Sequence, residues 1–230
     1  IKDAVHPGAT GQVVLASAIL DELVPRTLVA QIALTQRKGR FVSTGRNGDV
    51  SDLQSDPIRF TFTAKSLPWV LPADAREGYK LVNGGHRFSA ERLTIRSLNP
   101  GKYALKIDGN IVGEWNAGQL AAGIELEENE KTPQFQQALK VAQLNKDRND
   151  KFIHPLRDQW GQMKGKRNDL RKAEDANDPK LEEKKAAFEQ WRATFETKVA
   201  ELIAQAKAIE DEIYRANKPQ PHQYELTLVQ

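Results

Sequence analysis

The first half of the chain carries its hydrophobic residues in short runs, separated by clusters of glycine, proline, asparagine and aspartate. In one run Phe60 and Phe62 alternate with polar residues, which is typical of a strand with one buried face. Two further runs flank the Asp-Gly-Asn sequence at 108–110, which predicts a hairpin. The predicted strands are 29–34, 41–43, 58–63, 93–96, 103–107 and 111–113. Residues 26–130 are therefore predicted to form an antiparallel β-rich module, a small sandwich.

From Thr132 onward the hydrophobic positions recur at helical spacing. Thr132 and Pro133 predict the start of one helix, Pro155 opens a second, and the Asn-Asp-Pro sequence at 177–179 begins a third. The third helix has apolar residues at steps of three and four, close to the coiled-coil repeat. These residues are Phe188, Trp191, Phe195, Val199, Leu202, Ala206, Ile209 and Ile213. Because the link before the third helix is short, we expect it to run antiparallel to the second, as a helical hairpin or bundle over 131–218.

The end of the chain returns to an alternating pattern. Tyr224, Leu226 and Leu228 are separated by single polar residues, after a proline-rich link. This pattern predicts that residues 219–230 contribute a strand to the β-rich module. The fold class expected for the whole chain is thus α+β.

The beginning of the chain predicts a turn that leads into a helix. Apolar residues recur at helical spacing over 11–24, and Pro25 ends the segment. Asp3 and His6 lie just before this helix, in the sequence Asp-Ala-Val-His-Pro-Gly.

This arrangement resembles the last sequence block of the SGNH (GDSL-type) hydrolases, in which Asp-x-x-His-Pro precedes an amphipathic helix. The resemblance covers about the first 25 residues and implies that His6 is the base and Asp3 the acid of a catalytic triad. A serine hydroxyl becomes nucleophilic when an imidazole accepts its proton, and a carboxylate on the other ring nitrogen fixes the tautomer. Two spacer residues in a tight turn can bring both side chains together.

Other blocks of that family are absent from the printed sequence. There is no Gly-Asp-Ser nucleophile block, and no Gly-x-Asn-Asp block to supply oxyanion donors. The sequence Gly-Arg-Asn-Gly-Asp at 45–49 is superficially similar to the latter, but Asn-Gly is a strong turn signal and a turn is predicted. We therefore expect residues 1–25 to be the end of a longer α/β hydrolase domain, whose upstream segment supplies the nucleophile.

The charge balance, the length of the apolar runs and the content of cysteine and histidine bear on which classes of function the sequence allows. With 34 basic and 31 acidic residues, the net charge of +3 is too balanced to indicate a nucleic-acid-binding protein. No apolar run approaches the ~20 residues that span a bilayer. The chain lacks cysteine, and its four histidines show no ligand spacing, so no metal or other cofactor is predicted. The compartment is not determined by these features, although a secreted or periplasmic location is favoured.

Tryptophans offer a second kind of candidate site. Trp69 and Trp115 are predicted to lie in loops between strands, where they could stack on a sugar, with simple packing as the alternative. Trp160 and Trp191 fall on the apolar stripes of predicted helices and are expected in the core.

Two functions follow from the sequence. The first is the C-terminal part of an SGNH-type serine esterase, acting on ester substrates and in particular on O-acyl esters of carbohydrates. Residues 1–230 alone are then expected to be inactive. The alternative is a non-catalytic binding or assembly module in which the Asp-x-x-His turn is vestigial.

Overall fold

The structure is a computed structural model and describes residues 7–23 and 28–229. Its helices and strands form an α+β fold, as predicted. The chain divides into two compact units. The β unit contains the residues up to Ala142 and those from Ala216 onward, and the helical unit contains Gln143–Arg215.

The strands of the β unit form two sheets. They are β1 (Leu28–Arg37), β2 (Arg40–Arg46), β3 (Gly48–Ser55), β4 (Ile58–Ala64), β5 (Ala90–Ile95), β6 (Lys102–Ile107), β7 (Asn110–Asn116), β8 (Ile124–Glu125) and β9 (Pro221–Val229). The first sheet has the order β2-β1-β5-β8 and the second has the order β3-β4-β9-β6-β7. All six predicted strands are present in these sheets.

Both sheets contribute to one hydrophobic core, which confirms the predicted sandwich. Leu34 and Leu93 from the first sheet and Leu105 from the second are fully buried. The C-terminal strand β9 lies between β4 and β6, so the strand expected from its alternating residues is central in the second sheet. Its Tyr224 stacks on Phe60 of β4, with 4.9 Å between the ring centroids.

The sandwich differs from the prediction in two places. The pairing of β1 with β5 is parallel rather than antiparallel, because the chain between β4 and β5 crosses over through short helices. The strand β3 was not predicted, since its polar sequence has no clear apolar alternation. It pairs with β4, and Asn47 occupies a left-handed conformation in the predicted turn before it.

The helices are α1 (Ala9–Leu23), α2 (Arg76–Leu81), α3 (Gly84–Phe88), α4 (Ala117–Ala122), α5 (Pro133–Arg148), α6 (His154–Asp175) and α7 (Leu181–Ala216), with a 3-10 turn at Ala73–Ala75. The helix predicted over 11–24 is therefore α1. None of the helices over 7–23 and 28–229 has the length and apolarity needed to cross a membrane.

The helical unit is dominated by an antiparallel hairpin of α6 and α7, as predicted. Three contacts show the antiparallel order, because the residue number on α7 falls as that on α6 rises. They join Trp160 with Phe195, Lys166 with Trp191, and Glu174 with Lys185. The helix predicted to open at Pro155 is α6, which begins at His154 and carries Pro155 in its first turn. A single π-helical turn, Asn149–Ile153, joins α5 to α6, and such a turn accommodates a proline that would clash with a regular α-helical ladder.

Candidate functional site

The predicted catalytic pair, Asp3 and His6, lies outside the described residues. The structure does show how the residues that follow this pair are held. The Gln12 backbone N–H donates to the Gly8 carbonyl at 2.9 Å, and its side-chain amide donates to the Pro7 carbonyl at 3.4 Å. Pro7 and Gly8 are therefore tied to the first turn of α1.

Contacts at both ends fasten α1 to the β unit. Near its start, α1 lies so close to α2 that a side chain at Gly78 would collide with the backbone of Thr10 and approach Val13. Near its end, Asp21 accepts an ion-paired hydrogen bond from Arg87 of α3. The segment carrying the Asp-x-x-His sequence thus continues into a helix that is docked on α2 and α3.

A pocket beside α2, here called the α2 pocket, lies near this docking site. The empty space within it and at its open mouth together is about 360 Å³, much of it open to solvent. Its walls include Trp69, Tyr79 and Phe135, and polar groups of Arg76 and Glu128 reach it. An apolar pocket with a few polar groups is the usual form of a small-molecule site.

Trp69 lies in a loop, as predicted, and forms part of the wall of the α2 pocket. Its ring packs edge-on against Tyr79 at 5.4 Å and against Phe88 at 6.0 Å between centroids. Its backbone N–H donates to the Ser89 hydroxyl. Burial raises the pKa of Tyr79 well above its usual range, so this phenol stays neutral at ordinary pH.

Arg76 closes one side of the α2 pocket. Its guanidinium donates to Glu130 at 2.8 Å and to the Leu71 carbonyl at 3.3 Å, and it lies 5.7 Å from the centre of the Phe135 ring. These contacts hold a fixed positive charge at the α2 pocket, whose lining also includes Lys80 and the acidic residues Glu127, Glu128 and Glu130.

Trp115 does not lie in a loop, contrary to the prediction. It lies in β7 opposite Tyr103, half-buried, and its ring covers Gly113. The ring packs against the sandwich core, because an aromatic residue next to a glycine on a strand can fold over the gap that the glycine leaves. Trp115 does not line the α2 pocket with Trp69.

The two helical tryptophans also differ from the expectation that both are core residues. Trp191 is half-buried, but Trp160 on α6 is 52% exposed. The narrow interface of a two-helix hairpin covers only one side of the Trp160 ring.

A buried polar cluster that was not predicted lies inside the sandwich. The Gln134 amide donates to Glu91 at 3.1 Å and to the Tyr224 hydroxyl at 3.2 Å, and all three side chains are almost fully buried. Burial raises the pKa of Glu91 to about 7, although the hydrogen bond from Gln134 acts to lower this pKa. The sequence does contain a pattern that could have predicted this burial. Glu91 lies two residues before Leu93 and four before Ile95, and therefore falls on the same, buried face of β5.

Two histidines form pairs with carboxylates. His222 Nδ1 lies 2.7 Å from Asp108 Oδ2, and its buried Nε2 has no described partner. His86 Nδ1 lies 2.8 Å from Glu125 Oε1 and is exposed. Among the described lining residues of the small cavity beside His222 there is no serine, so this pair lacks the nucleophile of a triad. No group of three metal-binding side chains occurs within the described part of the chain.

No described protein family and no curated protein sequence matches the chain. One solved structure does match, that of a gut microbial diltiazem-metabolizing enzyme. The similarity has a TM-score of 0.79 at 26% sequence identity and covers 99% of this chain. It covers 56% of the solved enzyme, so this chain spans little more than half of that protein's length.

Proposed function

We propose that this chain is part of a serine ester hydrolase of the SGNH type. One combination of observations carries the proposal. The sequence Asp-x-x-His-Pro at 3–7 leads directly into α1, and nearly the whole chain is similar in fold to an enzyme that metabolizes diltiazem, an ester drug.

In this proposal His6 accepts the proton of a serine hydroxyl as the serine attacks the ester carbonyl, and it then protonates the leaving alcohol. Asp3 holds the imidazole in the required tautomer. Water releases the acyl group from the serine in the second half of the reaction. A preceding segment of the same protein supplies the serine and the oxyanion donors.

The surface of α1 supports such a covering segment. Val14, Leu15, Ile19 and Leu23 are large apolar residues of this helix, with exposed fractions of 42 to 74%. A row of exposed apolar side chains on one helix marks an interaction surface. In the proposed enzyme, the rest of the hydrolase domain packs on this helix.

The α2 pocket is the proposed site for part of the ester substrate. Trp69 and Phe135 offer apolar contact, and α2 is the helix on which α1 docks. Because aromatic walls also stack on sugars, the pocket is compatible with O-acyl esters of carbohydrates. These are the proposed natural substrates.

The proposal is tested by measuring hydrolysis of p-nitrophenyl acetate, diltiazem and acetylated xylan by the protein that includes the preceding segment. We expect His6→Ala to lower kcat by several orders of magnitude and Asp3→Asn to lower it by ~10⁴, the scale found for the same change in a well-studied triad. His154→Ala is the matched control, because His154 is an exposed histidine of α6. A fluorophosphonate probe should label one serine outside residues 1–230.

Residues 1–230 alone should show no hydrolysis above that of their own His6→Ala variant. If this chain alone is an esterase, the nucleophile lies within it and the proposed division of the triad is wrong. If the longer protein hydrolyses no ester and its serine is unlabelled, the binding or assembly module becomes the better interpretation.

A further inference from the structure

The exposed side of α6 carries a row of basic residues that also contains a tryptophan. The members follow one another at steps of three and four residues, so they lie on one face of the helix. They are Arg157, Trp160, Lys164, Arg167 and Arg171, here called the α6 stripe. All five side chains are exposed.

The cations of the α6 stripe differ from those of the neighbouring helix in having few acidic partners. On α7, Lys184 pairs with Asp178 at 2.6 Å and Lys207 pairs with Asp211 at 2.8 Å. Among the residues that the structure describes, Lys164, Arg167 and Arg171 form no ion pair or side-chain hydrogen bond. Their charge is therefore left for an external anion.

Trp160 gives the α6 stripe an aromatic surface. Its ring meets Phe195 edge-on, at 5.1 Å between centroids, and half of the side chain remains exposed. Nearby on the helix, Gly161 and Gly165 have open space where a side chain would be. A flat surface thus lies beside the exposed ring.

The balance of basic and acidic residues in the helical unit favours a ligand whose negative charges are spaced apart along it. The unit carries nearly equal numbers of basic and acidic residues, so it lacks the broad positive field that attracts a nucleic-acid duplex or an anionic bilayer. Along the axis of α6, the stripe instead offers single cations at successive intervals of about 10, 5 and 6 Å, over about 21 Å of helix, and Trp160 fills the longest interval. A polymer with one carboxylate on each ring fits this pattern.

We propose that the α6 stripe binds an anionic polysaccharide whose sugar units carry carboxylates. Arg and Lys pair with the carboxylates, with bidentate geometry available to the arginines. Trp160 stacks on the apolar face of a sugar ring. This binding is independent of the proposed ester hydrolysis, because no residue of the α6 stripe belongs to the predicted triad.

The test is titration of the full 230-residue chain with polygalacturonate by calorimetry, at low and moderate salt. We expect saturable binding that weakens as salt is added. The variant Lys164→Gln/Arg167→Gln/Arg171→Gln should bind on the order of tenfold more weakly or worse, because each removed cation loses a charge-assisted contact. Trp160→Ala should also weaken binding while retaining most of the salt dependence.

A variant with the same loss of charge on α7, Lys198→Gln/Lys207→Gln/Arg215→Gln, is the matched control and should bind like the original chain. Neutral dextran, duplex DNA and vesicles of phosphatidylserine with phosphatidylcholine are tested in parallel. Absence of polygalacturonate binding, or an equal loss in both triple variants, would overturn the proposal. So would DNA or vesicle binding that depends on the α6 stripe and exceeds polygalacturonate binding. The His6→Ala chain should bind unchanged, which separates this result from that for hydrolysis.

Discussion

Glu91 shows how one residue can make the stability of the β unit depend on pH. Its side chain is buried on the core face of β5, and its unpartnered oxygen Oε2 lies beside the cluster with Gln134 and Tyr224. A carboxyl in such surroundings holds its proton to a higher pH than it does in the unfolded chain.

We predict that the free energy of unfolding decreases as the pH rises from about 4.5 to about 7. The folded-state pKa of Glu91 is raised to about 7 from an ordinary value of 4.5, so the folded chain binds a proton that the unfolded chain has released in this window. The loss is at most on the order of 3 kcal/mol. Urea unfolding at pH 5 and pH 8 measures it.

The variant Glu91→Gln should lose most of this pH dependence and be more stable than the original chain at pH 8, since an amide needs no proton to remain neutral. Glu189→Gln, at an exposed position of α7, is the control and should leave the pH profile unchanged. If the free energy of unfolding of Glu91→Gln depends on pH as that of the original chain does, another titratable group causes the dependence.

Trp69 is predicted to support both the α2 pocket and the stability of the β unit. Trp69→Ala removes edge contacts with Tyr79 and Phe88 and should cost about 3 kcal/mol, whereas Trp69→Phe keeps an aromatic ring and should cost less. In the proposed esterase, Trp69→Ala should raise KM more than it lowers kcat. Unfolding curves and steady-state kinetics measure the two effects, and an unchanged KM would remove Trp69 from the substrate site.

At the scale of elements, the docking of α1 on α2 depends on a residue without a side chain. The Cβ of an alanine at position 78 would overlap the Thr10 backbone and press on Val13. Neither the helix backbone nor a β-branched neighbour can move aside easily, so the two helices must separate.

We therefore predict that Gly78→Ala lowers the melting temperature and costs about 1 to 3 kcal/mol. The matched variant Gly165→Ala, in α6, should instead stabilise the helical unit by up to about 1 kcal/mol, because that glycine faces open space and alanine is the better helix former. In the proposed esterase, Gly78→Ala should also reduce activity, since α1 follows His6. Thermal unfolding followed by circular dichroism compares the pair, and equal effects at the two glycines would contradict the packing argument.

At the scale of the whole molecule, the β unit is assembled from two separate stretches of the chain. Gln137 of α5 donates to the carbonyls of Ala216 and Lys218, at 2.8 and 2.7 Å, and so joins the two stretches within the β unit. The strand β9 then completes the second sheet from the end of the chain.

We predict that replacing residues 143–215 by a short Gly/Ser linker leaves the β unit folded, because its core residues all lie outside that segment. Truncation after Gln220 should abolish folding, since it removes the central strand β9 with Tyr224 and Leu226 of the core. Near-UV circular dichroism and proton NMR dispersion distinguish the outcomes. If the truncated chain still folds, β9 is not needed for folding, and the prediction from its central position in the second sheet is wrong.

The pattern of apolar and polar residues along the chain was sufficient to predict those elements whose form depends on residues close in sequence. Alternation at Phe60 and Phe62 and at Tyr224 and Leu226 predicted strands β4 and β9, because side chains of a strand point alternately to its two faces. Helical spacing and the short link at 177–179 likewise predicted the α6–α7 hairpin. The proposed catalytic pair, Asp3 and His6, comes from sequence alone.

The tertiary structure decided what depends on residues distant in sequence. The parallel pairing of β1 with β5 follows from the path of the intervening crossover, which no local pattern encodes. Glu91 meets Gln134 and Tyr224 only when β5, α5 and β9 come together, and its raised pKa results from that burial. Trp69 is placed beside Tyr79 and Arg76 for the same reason: pockets form between elements, so their walls are brought together by packing rather than by spacing along the chain.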